Sequence, residues 1–126
     1  MVNQCFINLG DKVDLCIPTG NFGNILSSIY AKEMDVPYDN IICASNDNNV
    51  LHEFFTTGKY DLRHKSFTKT LSPAIDILIS SNLERLLWKH LGTYRVKELM
   101  KNLKEQRFFE ITQYELKHIL AATDLK

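Results

Sequence analysis

The spacing of apolar residues changes several times along the chain, and each change marks an element. Val13, Leu15 and Ile17 alternate with other residues up to Pro18, which predicts a half-buried strand. From Ile25 to Met34 the apolar positions recur at helical spacing, and IICA at 41–44 reads as a second strand. Pro37 and the Asp39-Asn40 pair fill the return loop between them. The unit is βαβ, so its strands are expected to be parallel and its crossover right-handed. A second helix is predicted from about Asn48 to Thr57, with Leu51, Phe54 and Phe55 as its apolar stripe. Gly58 stands where a left-handed residue closes such a helix.

Residues 59–72, KYDLRHKSFTKTLS, read as an exposed basic loop, and Ser72-Pro73 as the start of a short helix. Ser81 and Glu84 have capping-box spacing, Leu83, Leu86, Leu87 and Leu91 supply a buried helix face, and Gly92 should end that helix. From Thr93 to about Gln106, Val96, Leu99, Met100 and Leu103 repeat at helical spacing. Thr112 and Glu115 form another capping-box pattern before Leu116, Ile119 and Leu120. The expected fold is α/β, with a small parallel sheet from the first 45 residues and a mostly helical remainder. With 126 residues, 44% hydrophobic and 24% charged, the chain has the size and composition of one domain.

Fifteen basic residues balance fifteen acidic ones, so global charge calls for neither nucleic acid nor an anionic membrane. The halves differ: residues 1–88 carry 7 basic and 10 acidic groups, residues 89–126 carry 8 and 5. Any anion site in the first part must therefore rely on backbone amides more than on lysines. Cys5, Cys16 and Cys43 are odd in number and lack CxxC spacing, which fits reduced thiols in an intracellular protein, cytoplasmic or mitochondrial. Cys16 and Cys43, in the two strands, are expected as small core residues. His52, His64, His90 and His118 share no metal-ligand spacing, and no metal site is expected. No apolar run approaches the roughly 18 residues of a membrane span, and the start, MVNQCFINLGDK, has neither the basic head nor the apolar stretch of a secretory signal. Its abrupt entry into amphipathic material suggests a piece of something longer.

The segment with candidate chemistry is PTGNFGN, residues 18–24, between the first strand and its helix. A loop at the carboxyl end of a parallel strand lies where open α/β sheets bind ligands, and the helix it opens presents unpaired N–H groups with partial positive charge. Gly20 and Gly23 permit unusual backbone angles and close approach, so the amides from Gly20 to Asn24 could converge on one phosphate. The loop is neither a Walker A sequence nor GxGxxG, which disfavours nucleoside triphosphates and dinucleotides.

Three successive stretches, VDLCIPTGNFGNILSSIYAKEMDVP, ICASNDNNVLHEFFTTGKYD and TLSPAIDILISSNLERLLW, resemble segments of threonine synthases in the family's own order, most closely the animal threonine synthase-like proteins. The likeness covers about residues 1–92 and continues more weakly through the tail. It implies an internal fragment of the three-layer large domain of a fold-type II pyridoxal-phosphate enzyme, with 1–92 a partial cofactor-binding domain and 93–126 its helical extension. The family's reaction converts O-phosphohomoserine and water into threonine and phosphate. By the same resemblance Gly20, Asn21, Phe22, Gly23 and Asn24 are the cofactor-phosphate positions. Three departures stand out: Asn24 where many members have an acid, Ser27-Ser28 where small residues are usual, and Asp35 where a glycine is common. A left-handed Asp35 would cost about 1 kcal/mol.

The family's Schiff-base lysine segment and the later segment that bonds the pyridine nitrogen are not among these residues, and Lys12, Lys32, Lys59, Lys65 and Lys69 lack that context. The expected function is that of a pyridoxal-phosphate-dependent phospholyase fragment, partnered by cofactor and a phosphorylated hydroxy amino acid in the parent and inactive alone. The alternative is a non-enzymatic interaction module that self-associates through exposed edges. Lesser candidates are read structurally. Asn46 or Asp47 should cap the second helix, while Arg63, His64, Lys65 and Lys69 should be solvated, and Trp88, Phe54, Phe55, Phe108 and Phe109 should be core or interface.

Overall fold

The computed structural model describes residues 10–45, 49–65, 71 and 79–126. The short helix expected after Ser72-Pro73 lies outside them. Strand β1 (Val13–Pro18), helix α1 (Gly23–Glu33) and strand β2 (Tyr38–Ala44) form the βαβ unit. The strands pair in parallel from Val13 opposite Tyr38 to Pro18 opposite Ala44, with one irregularity between Val13 and Leu15. Helix α1 buries Ile25, Leu26 and Ile29. Past its end Asp35 takes a left-handed φ of 66°, as its place in the sequence implied.

On the other side of β2 the tail supplies a third extended segment. Ile41 pairs in parallel with Leu125, the Ile41 and Cys43 amides donate to Asp124 and Lys126 carbonyls at 3.1 and 2.8 Å, and Lys126 N–H returns to Ile41 at 2.9 Å. Residues 93–126 are therefore more than a helical extension.

A second correction concerns the basic loop. Lys59–Asp61 form β3, which pairs antiparallel with β4 (Phe108–Glu110), Tyr60 opposite Phe109. Tyr60 and Leu62 are buried, and the tyrosine phenol, raised in pKa mainly by burial, accepts a hydrogen bond from Ser80 N–H at 3.0 Å. Arg63 is taken up locally: it forks onto Asp61, holding that carboxylate below its ordinary range, and lies 4.3 Å over the Phe108 ring. Lys65 reaches Asn49 and Glu53.

Helix α2 (Val50–Thr57) ends on Gly58 at φ 80°, as expected. Its N-cap is Asn49, without a side-chain capping bond; Asn46 and Asp47 lie outside the described residues. Helix α3 (Ser81–Gln106) is interrupted at Gly92, where φ 78° and ψ 170° separate two helical stretches. The Ser81–Glu84 capping box does not form, because Ser80 is the N-cap and its side chain makes no capping bond. The Thr112–Glu115 box at the start of α4 (Gln113–Thr123) does form, and Arg95 braces Glu115 from α3 at 2.9 Å.

All of these elements share one core. Phe22 stacks on Phe55 at 5.4 Å, Phe55 meets Phe54 at 5.1 Å, and Phe54 touches Tyr60 and Phe109 at 6.0 and 5.6 Å. Trp88, by contrast, is exposed, and so is Cys16, which leaves only the partly covered Cys43 close to the expected core role.

Helices α3 and α4 also meet at His90 and His118, whose ring centroids are 5.7 Å apart. The His90 Nε2 is buried with no partner among the described residues. Burial first, then His118 and Lys89, push its pKa below the usual 6.5, with Glu33 opposing. The unfolded chain thus binds this proton more readily, so the fold should lose stability as pH drops below 6.5 and level off under the native value. Urea midpoints at pH 7.5 and 5.5 should differ more for the natural chain than for His90→Gln. Equal differences would assign the acid sensitivity to other groups.

Candidate functional site

At the carboxyl end of β1 the chain turns through Thr19, Gly20, Asn21 and Phe22 before α1 begins at Gly23. Thr19 ties this turn to the end of β2, its N–H donating to the Ala44 carbonyl at 3.0 Å. Its Oγ1 accepts the Phe22 N–H at 3.0 Å. The Phe22 amide is therefore spent inside the turn, which removes one of the five amides expected to converge on an anion. The left-handed residue is also Phe22, at φ 62°, rather than either glycine. A phenylalanine holds that conformation because its ring is fully buried against Phe55.

The glycine at 23 has a different reason. A Cβ there would lie 3.3 Å from the Asn82 side-chain nitrogen, tighter than an ordinary van der Waals contact. Close approach, not a positive φ, explains it. Within the turn Gly20 is buried, whereas Asn21 and, just after it, Asn24 are exposed.

Helix α1 opens with no side-chain cap and no acid in its first turn. Its first described intrahelical bond comes from Leu26 N–H to the Phe22 carbonyl, so the Gly23, Asn24 and Ile25 amides have no acceptor among the described residues. Together they present about half a positive charge. Ser27 and Ser28 turn their hydroxyls back onto the Asn24 carbonyl at 2.9 and 2.8 Å, which explains how the helix accommodates serines there.

Asn21 is engaged with the start of α3. Its Oδ1 accepts from both Ser81 N–H and Ser81 Oγ, at 2.8 and 2.9 Å, and its carbonyl accepts from Asn82 Nδ2 at 2.9 Å. The five sequence-predicted residues therefore stay together, but they divide in role: Asn21 and Phe22 hold the turn, while Gly23 and Asn24 offer free amides. Thr19, Ser81 and Asn82 complete the arrangement and were missed. The signal for Ser81 and Asn82 was present in SNLER, residues 81–85, whose serine has helix-cap spacing, and Thr19 stands inside PTGNFGN itself.

The remaining candidates are placed elsewhere or paired. Arg63 and Lys65 are bound to carboxylates, Lys32 bonds the Asp39 carbonyl and Asp124, and Lys89 pairs with Glu33. Lys69 lies outside the described residues. No group of three or more metal-ligating side chains occurs among the described residues. Between β2, α2 and α4, Cys43, His52, Phe55 and Leu120 line a half-open cavity of about 170 Å³. Burial raises the Cys43 thiol to about 11, so at neutral pH it stays protonated and is no nucleophile. No helix among the described residues is long and apolar enough to cross a membrane.

Comparison with known proteins gives three informative matches. The human protein named threonine synthase-like 1 is 52% identical over 115 residues, covering 88% of this chain and 15% of that protein. The crystal structure of threonine synthase from yeast superposes with a TM-score of 0.79 at 32% identity, covering 91% of this chain and 24% of its own. The structure of pyridoxal-phosphate-bound threonine synthase from Brucella melitensis gives 0.83 at 36% identity, with 92% and 25% covered. This chain thus spans about a seventh to a quarter of the length of these relatives. No protein-family model matches it.

Proposed function

This chain belongs to the threonine synthase family, and from that membership we propose that its turn at residues 18–24 binds the phosphate of pyridoxal phosphate. The observation carrying the reading is the uncapped start of α1, where the Gly23, Asn24 and Ile25 amides have no acceptor among the described residues and no acid competes for them. The residues fit a phosphate: a dianion placed there gains the helix dipole and three N–H donors, and Gly23 leaves its backbone approachable. Gly20 contributes a buried backbone position within the turn, and Asn21 and Phe22 fix the turn's shape.

Bound pyridoxal phosphate supplies an electron sink, and the surrounding protein contributes binding and orientation. In this chain the α1 amides anchor one end of the cofactor, the buried Phe22–Phe55 stack keeps the anchor rigid, and the carboxyl ends of β1 and β2 face the same side. The parent reaction, O-phosphohomoserine plus water to threonine plus phosphate, is assigned to the complete family protein. The 126 residues alone carry no turnover in this proposal, because Lys12, Lys32, Lys59, Lys65 and Lys69 lack the context of the family's Schiff-base lysine. Residues 1–92 act as part of the cofactor domain, and 93–126 complete its core. Free thiols at Cys16 and Cys43 suit a reducing intracellular compartment, cytoplasmic or mitochondrial. Self-association is the second reading, favoured by β1 having a strand partner on one side only among the described residues.

Titrating inorganic phosphate into the isotopically labelled chain should move the Gly23, Asn24 and Ile25 amide resonances first. Pyridoxal phosphate with borohydride should give no stoichiometric single-site adduct by intact mass. Phosphate shifts confined to another surface would refute the site, and clean labelling of one lysine would refute the inactivity.

A further inference from the structure

The SNLER stretch at residues 81–85 borders the site without contributing to the anion-binding amides: two of its side chains bond the glycine turn and a third, Arg85, holds one of them. Ser81 gives two hydrogen bonds to Asn21 Oδ1, from its amide and its hydroxyl. Asn82 donates through Nδ2 to the Asn21 carbonyl at 2.9 Å, and Arg85 donates to Asn82 Oδ1 at 3.1 Å. Arg85 fixes the orientation of the Asn82 amide, because a guanidinium donates only and must face the oxygen. The nitrogen is thereby turned toward residues 21–23, where it also lies 3.3 Å from the point a Gly23 Cβ would occupy.

We infer that Asn82, oriented by Arg85, is a positioning residue that clamps the phosphate-binding turn onto the start of α3. The inference rests on the phosphate reading proposed above. Its physical content is pre-organisation: a short turn with a left-handed Phe22 would otherwise have to be ordered when the anion arrives, and that entropy would be lost from affinity. Asn21 is held at both its side chain and its carbonyl, so the amides immediately downstream start from their binding geometry. A primary amide has two N–H groups, and the Asn21 carbonyl takes one. The second stays beside Gly23 as a further donor on the same side of the turn.

Two substitutions separate positioning from bulk. Asn82→Ala removes the clamp, and Asn82→Asp keeps its shape and its acceptor for Arg85 while replacing the donor with a carboxylate oxygen. Phosphate affinity, read from the Gly23 and Asn24 amide shifts, should fall about three- to tenfold in Asn82→Ala, the loss of one hydrogen bond, and further in Asn82→Asp. Arg85→Gln should give a smaller loss. Without phosphate, hydrogen exchange at Gly23 and Asn24 should quicken in Asn82→Ala, while the Tyr60 and Phe109 amides in the β3–β4 pair keep their protection. A natural chain that shows no phosphate response sinks the phosphate reading and this inference together. A natural response left unchanged by both Asn82 substitutions sinks the inference alone. Equal quickening of exchange in the β3–β4 pair would also overturn it, by making Asn82 a general stability residue.

Discussion

Truncating Phe54 to alanine should cost about 3–5 kcal/mol of stability, a large share of the roughly 5–15 kcal/mol that holds a domain together. The ring is fully buried and touches three others: Phe55 beside it on α2, Tyr60 on β3 and Phe109 on β4. These contacts join the two sheets, since Phe55 continues to Phe22 at the glycine turn while Tyr60 and Phe109 stack within the antiparallel pair at 5.0 Å. The cavity left by alanine cannot close by moving one element, because each wall belongs to a different one. Phe54→Leu, which keeps most of the volume, should lose only a minor part of that stability. Urea unfolding followed by circular dichroism gives both values. A loss under about 1 kcal/mol for the alanine variant, well below the range of such truncations, would mean that the aromatic chain does not couple the sheets.

The same cluster explains what could be read from the residues and what could not. Periodicity reported α1, α2 and both stretches of α3 because each presents several apolar residues on one helical face, and such repetition needs no knowledge of the partner. The strands β1 and β2 were legible through alternation and the intervening helix. By contrast, β3 and β4 have three residues apiece, too few for any period, and their pairing joins positions 59–61 to 108–110. Tyr60 inside a stretch rich in basic residues reads as part of a solvated loop. Only the distant Phe109 makes it core. Residues 124–126 escaped notice for the same reason, since their order depends on a ladder with β2 and not on their own composition.

At the candidate site the position of the turn was legible and its internal division was not. Glycines flag a place where backbone must come close to something, but they do not say what. For Gly23 the neighbour inside the fold is Asn82, 59 residues further along the chain. Local rules gave Ser81 to a capping box, and a tertiary hydrogen bond from its amide to Asn21 Oδ1 displaced that use. Phe22 was read for its amide, whereas its side chain supplies the packing that holds its strained φ.

Gly58→Ala tests the junction of these pieces, and the expected loss is about 2–4 kcal/mol. Gly58 closes α2 at φ 80°, where an L-residue pays roughly 1–2 kcal/mol. Its N–H donates to the Phe54 carbonyl at 2.7 Å and its own carbonyl accepts from Ile111 N–H at 2.9 Å. The new methyl would sit 2.9 Å from the Ile111 carbonyl oxygen, a backbone atom at the end of β4 that no rotamer change can move aside. Relieving the contact must displace Ile111 and weaken its bond to Gly58, adding about 1 kcal/mol, and Ile111 is itself buried in the core. The strain therefore falls on the ladder that covers Tyr60, not on the phosphate turn. Thermal unfolding should show the loss, and hydrogen exchange should quicken at Ile111 before it does at Gly23. A variant that unfolds within about 1 kcal/mol of the natural chain, no more than the left-handed φ alone requires, would show that β4 is free to shift there. The two sheets would then be less tightly joined than the Phe54 contacts imply.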